Sequence, residues 1–188
     1  KIVFLRERQI RNFLLALMVS QGIPMILMSD EYAHTRHGNN NTWCHDNELN
    51  WFLWNKIETR PGFQRFFRSL IHFRKNEPLL SRDQFLSDKD VSWHGLMPNQ
   101  PDWEKDNGFV AFSLNSPDQG PQLYAAFNAS HVPLTIHLPE TNKGQSWYWI
   151  VNTYNPSPQD FFDPEQQKKL EFSTIRIPSY TAYLLKAQ

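Results

Sequence analysis

The stretch GIPMILMSDEY at residues 22–32 decides the fold of the first part of this 188-residue chain. Its centre, residues 25–28, is a short apolar run without alternation, which is typical of a strand covered on both faces of a parallel sheet. Shortly after this apolar run come two acidic residues, Asp30 and Glu31. The pattern predicts a buried, parallel-type strand with an acidic pair at its carboxyl end.

Helices are predicted on both sides of this strand. Apolar residues recur at helical spacing from Ile10 to Met18, and Gly22 and Pro24 end that pattern. A second helix is predicted to begin at Pro61, a favourable first-turn residue, and to stop before residue 78. One strand cannot satisfy its own backbone, and small sheets need about three strands or more. We therefore interpret residues 1–80 as the end of an α/β repeat whose other strands lie upstream.

The pattern changes to short β-like runs after a boundary near residues 78–84. Leu134, Ile136 and Leu138 alternate with polar residues, as expected of a half-exposed strand. Seven such runs are separated by Pro, Gly, Asn and Asp: residues 91–93, 109–114, 123–127, 134–138, 147–151, 173–177 and 182–185. They predict an antiparallel β-sandwich over residues 81–188.

Composition excludes several classes of protein. The 19 Lys and Arg balance the 19 Asp and Glu, so the chain lacks the positive charge of a nucleic-acid or anionic-membrane binder. No apolar run approaches the roughly 18 residues that span a bilayer. A single cysteine, Cys44, fits a reducing compartment, so we expect a cytoplasmic protein. Because the chain begins at Lys1 and not at Met, the removal of a targeting segment is left open as an alternative.

The long stretch after the acidic pair is the candidate functional site. It runs for almost thirty residues to about residue 60, whereas a connection of this kind usually has about two to six. Function in parallel α/β folds gathers at the carboxyl ends of strands, and aromatic faces beside amides and carboxylates suit sugar binding. The candidate binding residues are Asp30, Glu31, Tyr32, Asn39, Asn40, Asn41, Trp43, Asp46 and Asn47.

Simpler interpretations of these residues stay open. An Asp-Glu pair after a strand is often a helix cap, and an asparagine run often forms tight turns. A loose cluster of His34, His37, Cys44 and His45 suggests zinc, but its spacing matches no strong signature, and we predict no metal.

Two motifs in the second half also have alternatives. Residues 147–149 (WYW) could form an accessory sugar platform, although sandwich core is the stronger interpretation. Asn128 begins an N-x-[ST] motif, as does Asn40, but that motif is common by chance.

Residues 22–32 resemble the eighth-strand segment of the α-amylase superfamily, glycoside hydrolase family 13, where the pattern is G-x-P-x-x-x-x-G-D-E. Residues 38–47 (GNNNTWCHDN) resemble the longer and more specific G-N-N-N-x-Y-x-x-D-N loop of isoamylase-type debranching enzymes. Residues 73–75 and 177–185 also fit the family, so the resemblance extends over essentially the whole chain. It implies the last helix–strand–helix of a (β/α)₈ TIM barrel followed by the C-terminal sandwich.

The resemblance also implies an activity. Such enzymes hydrolyse α-1,6 branch linkages of glycogen, limit dextrin or amylopectin by a retaining mechanism, with an Asp nucleophile, a Glu acid/base and a second Asp. All three would lie upstream of Lys1, so we predict no catalytic residue in this chain and assign none to Asp30 or Glu31. The implied partner is a branched α-glucan, with no cofactor, nucleic acid or membrane. A homo-oligomer and a plastid location are left open.

Two residues depart from the family pattern. Ser29 and Ala33 stand where glycine is usual, and a positive φ there would cost on the order of 1 kcal/mol. The rival interpretations are a non-catalytic glucan-binding or scaffolding subunit and a zinc-binding interaction domain.

Overall fold

Two α-helices precede the sheets. The structure is a computed structural model that describes residues 2–104, 108–116 and 120–188. Helix α1 is Ile2–Val19 and helix α2 is Pro61–Asn76, so the predicted start of α2 is confirmed, whereas α1 begins earlier than its apolar pattern suggested. Gly22 has a φ of +93°, which agrees with its predicted place just beyond the end of α1.

Lys1 lies outside the described residues. The family resemblance implies that the catalytic carboxylates lie upstream of Lys1, and that placement stays a prediction. The domain assignment of residues 1–80 likewise includes Lys1, and the structure describes this part of the chain only from Ile2 onwards.

The predicted strand at residues 25–28 does not form within the described residues, and its place in a larger sheet stays a prediction. Residues 23–27 have no regular secondary structure and belong to no sheet, and Met25 is 89% exposed. A strand exists only through hydrogen bonds to a neighbour, and no described residues pair with this segment. The apolar pattern marked a segment that is suited to burial, but none of the strands in the described residues pairs with it.

The seven predicted strands of the second half are confirmed, and all their pairings are antiparallel. The strands are β1 (Val91–His94), β2 (Phe109–Ser116), β3 (Gly120–Asn128), β4 (Leu134–His137), β5 (Trp147–Asn152), β6 (Thr174–Ile177) and β7 (Thr181–Ala187). They form a five-stranded sheet in the order β1-β2-β3-β7-β5 and a two-stranded sheet of β4 and β6. The second half is therefore a sheet-rich antiparallel β domain.

The five-stranded sheet is covered on both faces. On β3, Leu123 and Ala125 share a core cluster with residues of α1 and α2. The alternate residues Tyr124 and Ala126 face the opposite way and pack with the small sheet, around Ile136 of β4. The alternation of a β-strand thus places the helices on one side and the β4–β6 sheet on the other.

Arg74 holds the end of α1 against α2. It is buried, and its guanidinium donates to the carbonyl oxygens of Met18, Ser20 (2.8 Å) and Gly22 (2.5 Å). These carbonyls lie at the end of α1, where the helix cannot satisfy them itself. Burial lowers the pKa of Arg74 from its usual value. The position where the chain leaves α1 is therefore fixed by one side chain of α2.

Asp160 joins both helices to the β domain. Its carboxylate is fully buried in the segment after β5 and lies between Arg11 of α1 and Arg65 of α2. Arg11 Nε is 3.0 Å from Asp160 Oδ2, without the alignment of a hydrogen bond. Burial raises the pKa of Asp160, and the two guanidiniums act against that rise.

None of the helices formed by the described residues (2–104, 108–116 and 120–188) combines the length and apolar character needed to cross a membrane.

His94 is a buried histidine with both ring nitrogens satisfied. Its Nδ1 accepts the backbone N–H of Asn99 at 2.9 Å, so the proton of the neutral ring lies on Nε2, 3.0 Å from Ser113 Oγ. Ser113 then donates to Asn115 Oδ1 at 3.1 Å. Burial lowers the pKa of His94 from 6.5 to about 4.

We predict that stability falls as the pH drops from 6.5 towards 4, because the unfolded chain binds a proton at His94 that the folded chain does not. This contribution is complete above the unfolded pKa, is lost below the folded one, and amounts to about 3 kcal/mol. Urea denaturation at a series of pH values measures it. His94→Gln should remove this component, whereas the exposed His131→Gln should retain it; parallel wild-type and His94→Gln curves would contradict the assignment.

Candidate functional site

The acidic pair lies on a tight turn that needs two left-handed residues. Asp30–Tyr32 is a single 3₁₀ turn, flanked by Ser29 at φ +86° and Ala33 at φ +54°. Both positions where the family pattern has glycine therefore have a positive φ, at a cost of about 1 kcal/mol each for a residue with a side chain. The helix-cap alternative for Asp30 and Glu31 is not supported, because Ser29 is the N-cap of this turn and no side chain caps it by a hydrogen bond.

Asp30 also lines a cavity of about 280 Å³ between the two helices and the turn. The other walls are mainly apolar: Ile10, Phe13, Leu14, Leu17, Ile26, Ala33, His34, Phe63 and Phe67. Burial beside these walls raises the pKa of Asp30, and the neighbouring Glu31 carboxylate adds to the rise. Asp30 is therefore a carboxyl group at the edge of an apolar cleft.

Tyr32 is buried and organises the loop from within. Its ring packs edge-on against His34 and Phe52, with centroids 5.7 Å and 5.2 Å away. Its hydroxyl oxygen accepts the backbone N–H of Leu53 at 3.0 Å. His34 makes a parallel link through Nε2, which lies 3.1 Å from the carbonyl oxygen of Leu49. These contacts tie the start of the long loop to its end.

The asparagines of the loop make the tight turns that were left open as an alternative. Asn39 Oδ1 accepts the N–H of Asn41 at 3.0 Å, and Asn47 Oδ1 accepts the N–H of Leu49 at 3.0 Å. Asn41 Oδ1 makes a longer contact of 3.4 Å with the N–H of Trp43. Each of these side chains accepts a backbone hydrogen bond through its oxygen. Its amide NH₂ group takes no part in that bond.

Asn50 is the loop residue that sequence reasoning missed. Its Oδ1 accepts from Thr42 Oγ1 at 2.5 Å, and its Nδ2 donates to the carbonyl oxygens of Thr42 (2.5 Å) and His45 (2.7 Å). Thr42 is itself buried. In the sequence, Asn50 is one more asparagine in an asparagine-rich stretch. Nothing there distinguishes an asparagine that holds the loop by hydrogen bonds from one whose amide is exposed.

Trp43 is the most exposed aromatic side chain of the candidate set. It is 91% exposed, directly after the buried Thr42. Asp46 does not point freely to solvent, because its Oδ1 accepts from Trp51 Nε1 at 2.7 Å. The loop therefore presents the indole face of Trp43 on a backbone that its neighbours hold in place.

The candidate residues form two groups. Asp30, Glu31 and Tyr32 belong to the turn beside the helices, and residues 39–47 form an outer loop fastened by Asn50. His34 and Tyr32 connect the groups through Leu49 and Leu53. Within the described part of the chain, no three His, Cys, Asp or Glu side chains lie close enough to hold a metal ion.

The motifs in the β domain are structural. Trp147 is buried and donates from Nε1 to the carbonyl oxygen of Pro139 at 2.8 Å, and Trp149 packs edge-on against Tyr183. Asn128 is buried and its Nδ2 donates to the carbonyl oxygens of Val132 (2.9 Å) and Pro178 (3.0 Å), so the folded chain does not present it for glycosylation.

Solved pullulanase structures share this fold. The pullulanase from Bacillus acidopullulyticus superimposes with a TM-score of 0.72 at 19% identity, over 96% of this chain and 20% of that one. A pullulanase mutant from Paenibacillus barengoltzii, solved with maltotetraose, gives a TM-score of 0.67 at 23% identity, over 96% and 25% of the two chains. The fold of this chain is therefore shared with part of each of these two solved chains.

Sequence comparison identifies the family. The model of the isoamylase 1–3 C-terminal family matches residues 92–186, just over half of the chain. Rice chloroplastic isoamylase 1 is 47% identical over 84% of this chain, and rice chloroplastic isoamylase 3 is 41% identical over 100% of it. The chain belongs to the isoamylase C-terminal family. It spans only 19% and 23% of the length of those two relatives.

We predict that Asn50→Ala releases the outer loop without unfolding the protein. Three hydrogen bonds are lost, each worth about 1 kcal/mol, so amides near Thr42 and His45 should exchange about 10- to 100-fold faster. Hydrogen exchange followed by mass spectrometry measures this. Asn40→Ala is the matched control, because Asn40 is exposed and its side chain has no hydrogen bond to the described residues. Unchanged exchange in Asn50→Ala would contradict the fastening role.

Proposed function

We propose that this chain is the C-terminal part of an isoamylase-type debranching enzyme that hydrolyses α-1,6-glucosidic branch linkages in glycogen or related α-glucans. One observation carries the proposal: the likeness to rice isoamylase 3 covers the whole chain, including the asparagine loop as well as the β domain. A mycobacterial glycogen operon protein GlgX homolog, 32% identical over 82% of this chain, supports the same class of substrate.

The catalytic carboxylates belong upstream of Lys1 in this proposal. A retaining glycosidase needs a nucleophile and an acid/base about 5–5.5 Å apart on either side of the scissile bond. Asp30 and Glu31 are neighbours on one 3₁₀ turn, and neither corresponds to the family's nucleophile or acid/base. Their role is to shape the cleft beside the reacting carboxylates.

Residues 1–80 are, on this proposal, the last helix–strand–helix of a (β/α)₈ barrel, and residues 81–188 are the sandwich that closes one side of it. The exposed apolar side chains of Ile23, Met25 and Leu27 support this arrangement, because they suit a strand whose neighbours lie elsewhere in the enzyme. The outer loop then lies at the carboxyl end of that strand, where barrel enzymes bind substrate.

The proposed roles of the binding residues differ according to the surroundings of each side chain. Trp43 offers an indole face to a glucosyl ring, while Asn39, Asn40, Asn41 and Asn47 offer amide NH₂ groups to sugar hydroxyls. Asp30, Glu31 and Asp46 supply acceptors at the edge of the cleft. Tyr32, which is buried, positions the turn from below.

The proposed ligand is a branched α-glucan such as glycogen, limit dextrin or amylopectin, and no cofactor takes part. The proposed compartment is the cytoplasm or a plastid; the plant relatives carry the description chloroplastic. The oligomeric state is left open in this proposal. Light scattering would measure whether the protein forms a homo-oligomer.

The rival function is a non-catalytic glucan-binding or scaffolding subunit. Its outer loop would look the same, because Trp43 and the asparagines bind sugar in either case. The difference lies upstream: an enzyme needs three barrel carboxylates, and a scaffold does not.

Release of reducing ends from glycogen and its limit dextrin tests the proposal. We expect activity from the full-length parent and none from residues 1–188 alone, because the reacting carboxylates are absent from them. An inactive parent that still binds glycogen would favour the scaffolding subunit. Robust release by residues 1–188 alone would contradict the placement of the catalytic groups, and Asp30, Glu31 and Asp46 would then be substituted first.

We predict that Trp43→Ala in the full-length enzyme weakens binding of branched glucan by about 1–3 kcal/mol, the usual loss for an aromatic anchor. The measurement is the KM for glycogen together with the Kd in a catalytically inactive background. Trp43→Tyr is the control, since the family motif has Tyr at this position and a ring is kept. Unchanged constants in Trp43→Ala would contradict the stacking role.

A further inference from the structure

Two tryptophans of the β domain are exposed together, and neither of them lines the candidate cleft. Trp93 of β1 is 43% exposed, and Trp103, in the segment that follows β1, is 66% exposed. Their ring centroids are 5.4 Å apart and their planes cross at 72°. Trp93 also packs against Phe112 of β2, at 5.5 Å, which supports the pair from the sheet. We call Trp93 and Trp103 the tryptophan pair.

The segment that carries Trp103 is fixed to the sheet by buried groups. The N–H of Asn99 donates to Nδ1 of the buried His94, next to Trp93 in β1. Gly95 lies so close to the backbone of Gln100 that an added Cβ would be 2.2 Å from its carbonyl oxygen. This close approach requires glycine. The tryptophan pair is therefore preorganised in the unliganded protein, which lowers the entropic cost of binding.

The polar groups around the pair, which are amides together with the exposed carboxylate of Glu104, suit a hydroxylated ligand. Asn99 and Gln100 in the same segment are exposed amides, and Trp93 and Trp103 present two ring faces at a steep angle. A flat platform would suit an extended chain, whereas two crossed rings suit the curved face of an α-linked glucan. Aromatic faces stack on the apolar faces of glucosyl units while amides reach their hydroxyls.

We propose that the tryptophan pair is a second glucan-binding site, which holds an unbranched α-1,4-linked outer chain while a branch point of the same polymer occupies the cleft. The inference rests on the proposed function, because it takes the same substrate. Holding one polymer at two sites raises the effective concentration of branch points at the cleft. The site therefore acts on large glucans and has little effect on short ones.

The experiment uses the full-length protein in four forms: wild type, Trp103→Ala, the double variant Trp93→Ala/Trp103→Ala, and Phe172→Ala. Phe172 is the matched control, because it is 72% exposed in the same β domain and has no part in the pair. Gel retardation by glycogen gives a Kd for each form. Reducing-end release is measured on glycogen and on a short branched oligosaccharide, and thermal unfolding reports on folding.

The expected result is a Kd for glycogen at least fivefold higher in Trp103→Ala and higher still in the double variant. Release from the short oligosaccharide should stay within twofold of wild type, and Phe172→Ala should match wild type throughout. A protein without hydrolytic activity would overturn the proposed function, yet the retardation assay would still test the pair.

Two results would overturn the inference. One is an unchanged Kd for glycogen in a folded double variant. The other is a large fall in the unfolding temperature of Trp103→Ala, since that would show that this ring, together with the exposed Leu96 and Met97 nearby, packs against another part of the protein.

Discussion

The buried carboxylate of Asp160 is the constraint on which the rest of the structure depends. It is the place where α1, α2 and the β domain meet, through Arg11 and Arg65. A buried charge is costly unless it is paired, so this carboxylate strongly favours the one arrangement that brings both guanidiniums to it. The apolar cluster between the helices and the sheet supplies most of the packing energy, but such contacts are not directional. The ionic contacts select the orientation.

The position of the candidate site depends on the orientation of the two helices against the β domain. Once α1 and α2 are in place, Arg74 holds the carbonyls at the end of α1, and the chain leaves the helix in a fixed direction. The turn at Asp30–Tyr32 follows, and Tyr32 and Asn50 then fasten the long loop. Ser29 and Ala33 accept left-handed backbone in that turn. The exposed face of Trp43 is thus positioned by a series of contacts that begins in the β domain.

Local signals explain which features the sequence could predict. Turn residues and alternation located all seven strands, and Pro61 located the start of α2, because those signals lie within a few residues of the feature they determine. Residues 25–28 form no strand within the described residues, since an apolar run indicates suitability for burial and not the presence of a neighbouring strand. The family resemblance supplied the importance of residues 38–47, which periodicity alone would have left as a loop.

Long-range packing explains the features that were missed. Asn50 and Arg74 act on partners whose proximity only the folded chain creates, and their residue types are ordinary for their positions. The sequence suggested residues 147–149 as a sugar platform, but Trp147 is core, while Trp93 and Trp103 are the exposed tryptophans of the β domain. Alternation along a strand tells which side chains share a face, and it does not tell what covers that face.

Hydrogen exchange on the full-length protein with Asp160→Asn tests the central claim most directly, because this change removes the charge and keeps the size of the side chain. Breaking a buried ionic contact of this kind should cost about 3 kcal/mol. We predict faster exchange in α1, α2 and residues 159–163 together. Glu7→Gln, which removes only the surface contact with Arg60 at 3.9 Å, should leave exchange unchanged. Faster exchange confined to residues 159–163, with both helices as protected as in wild type, would contradict the account.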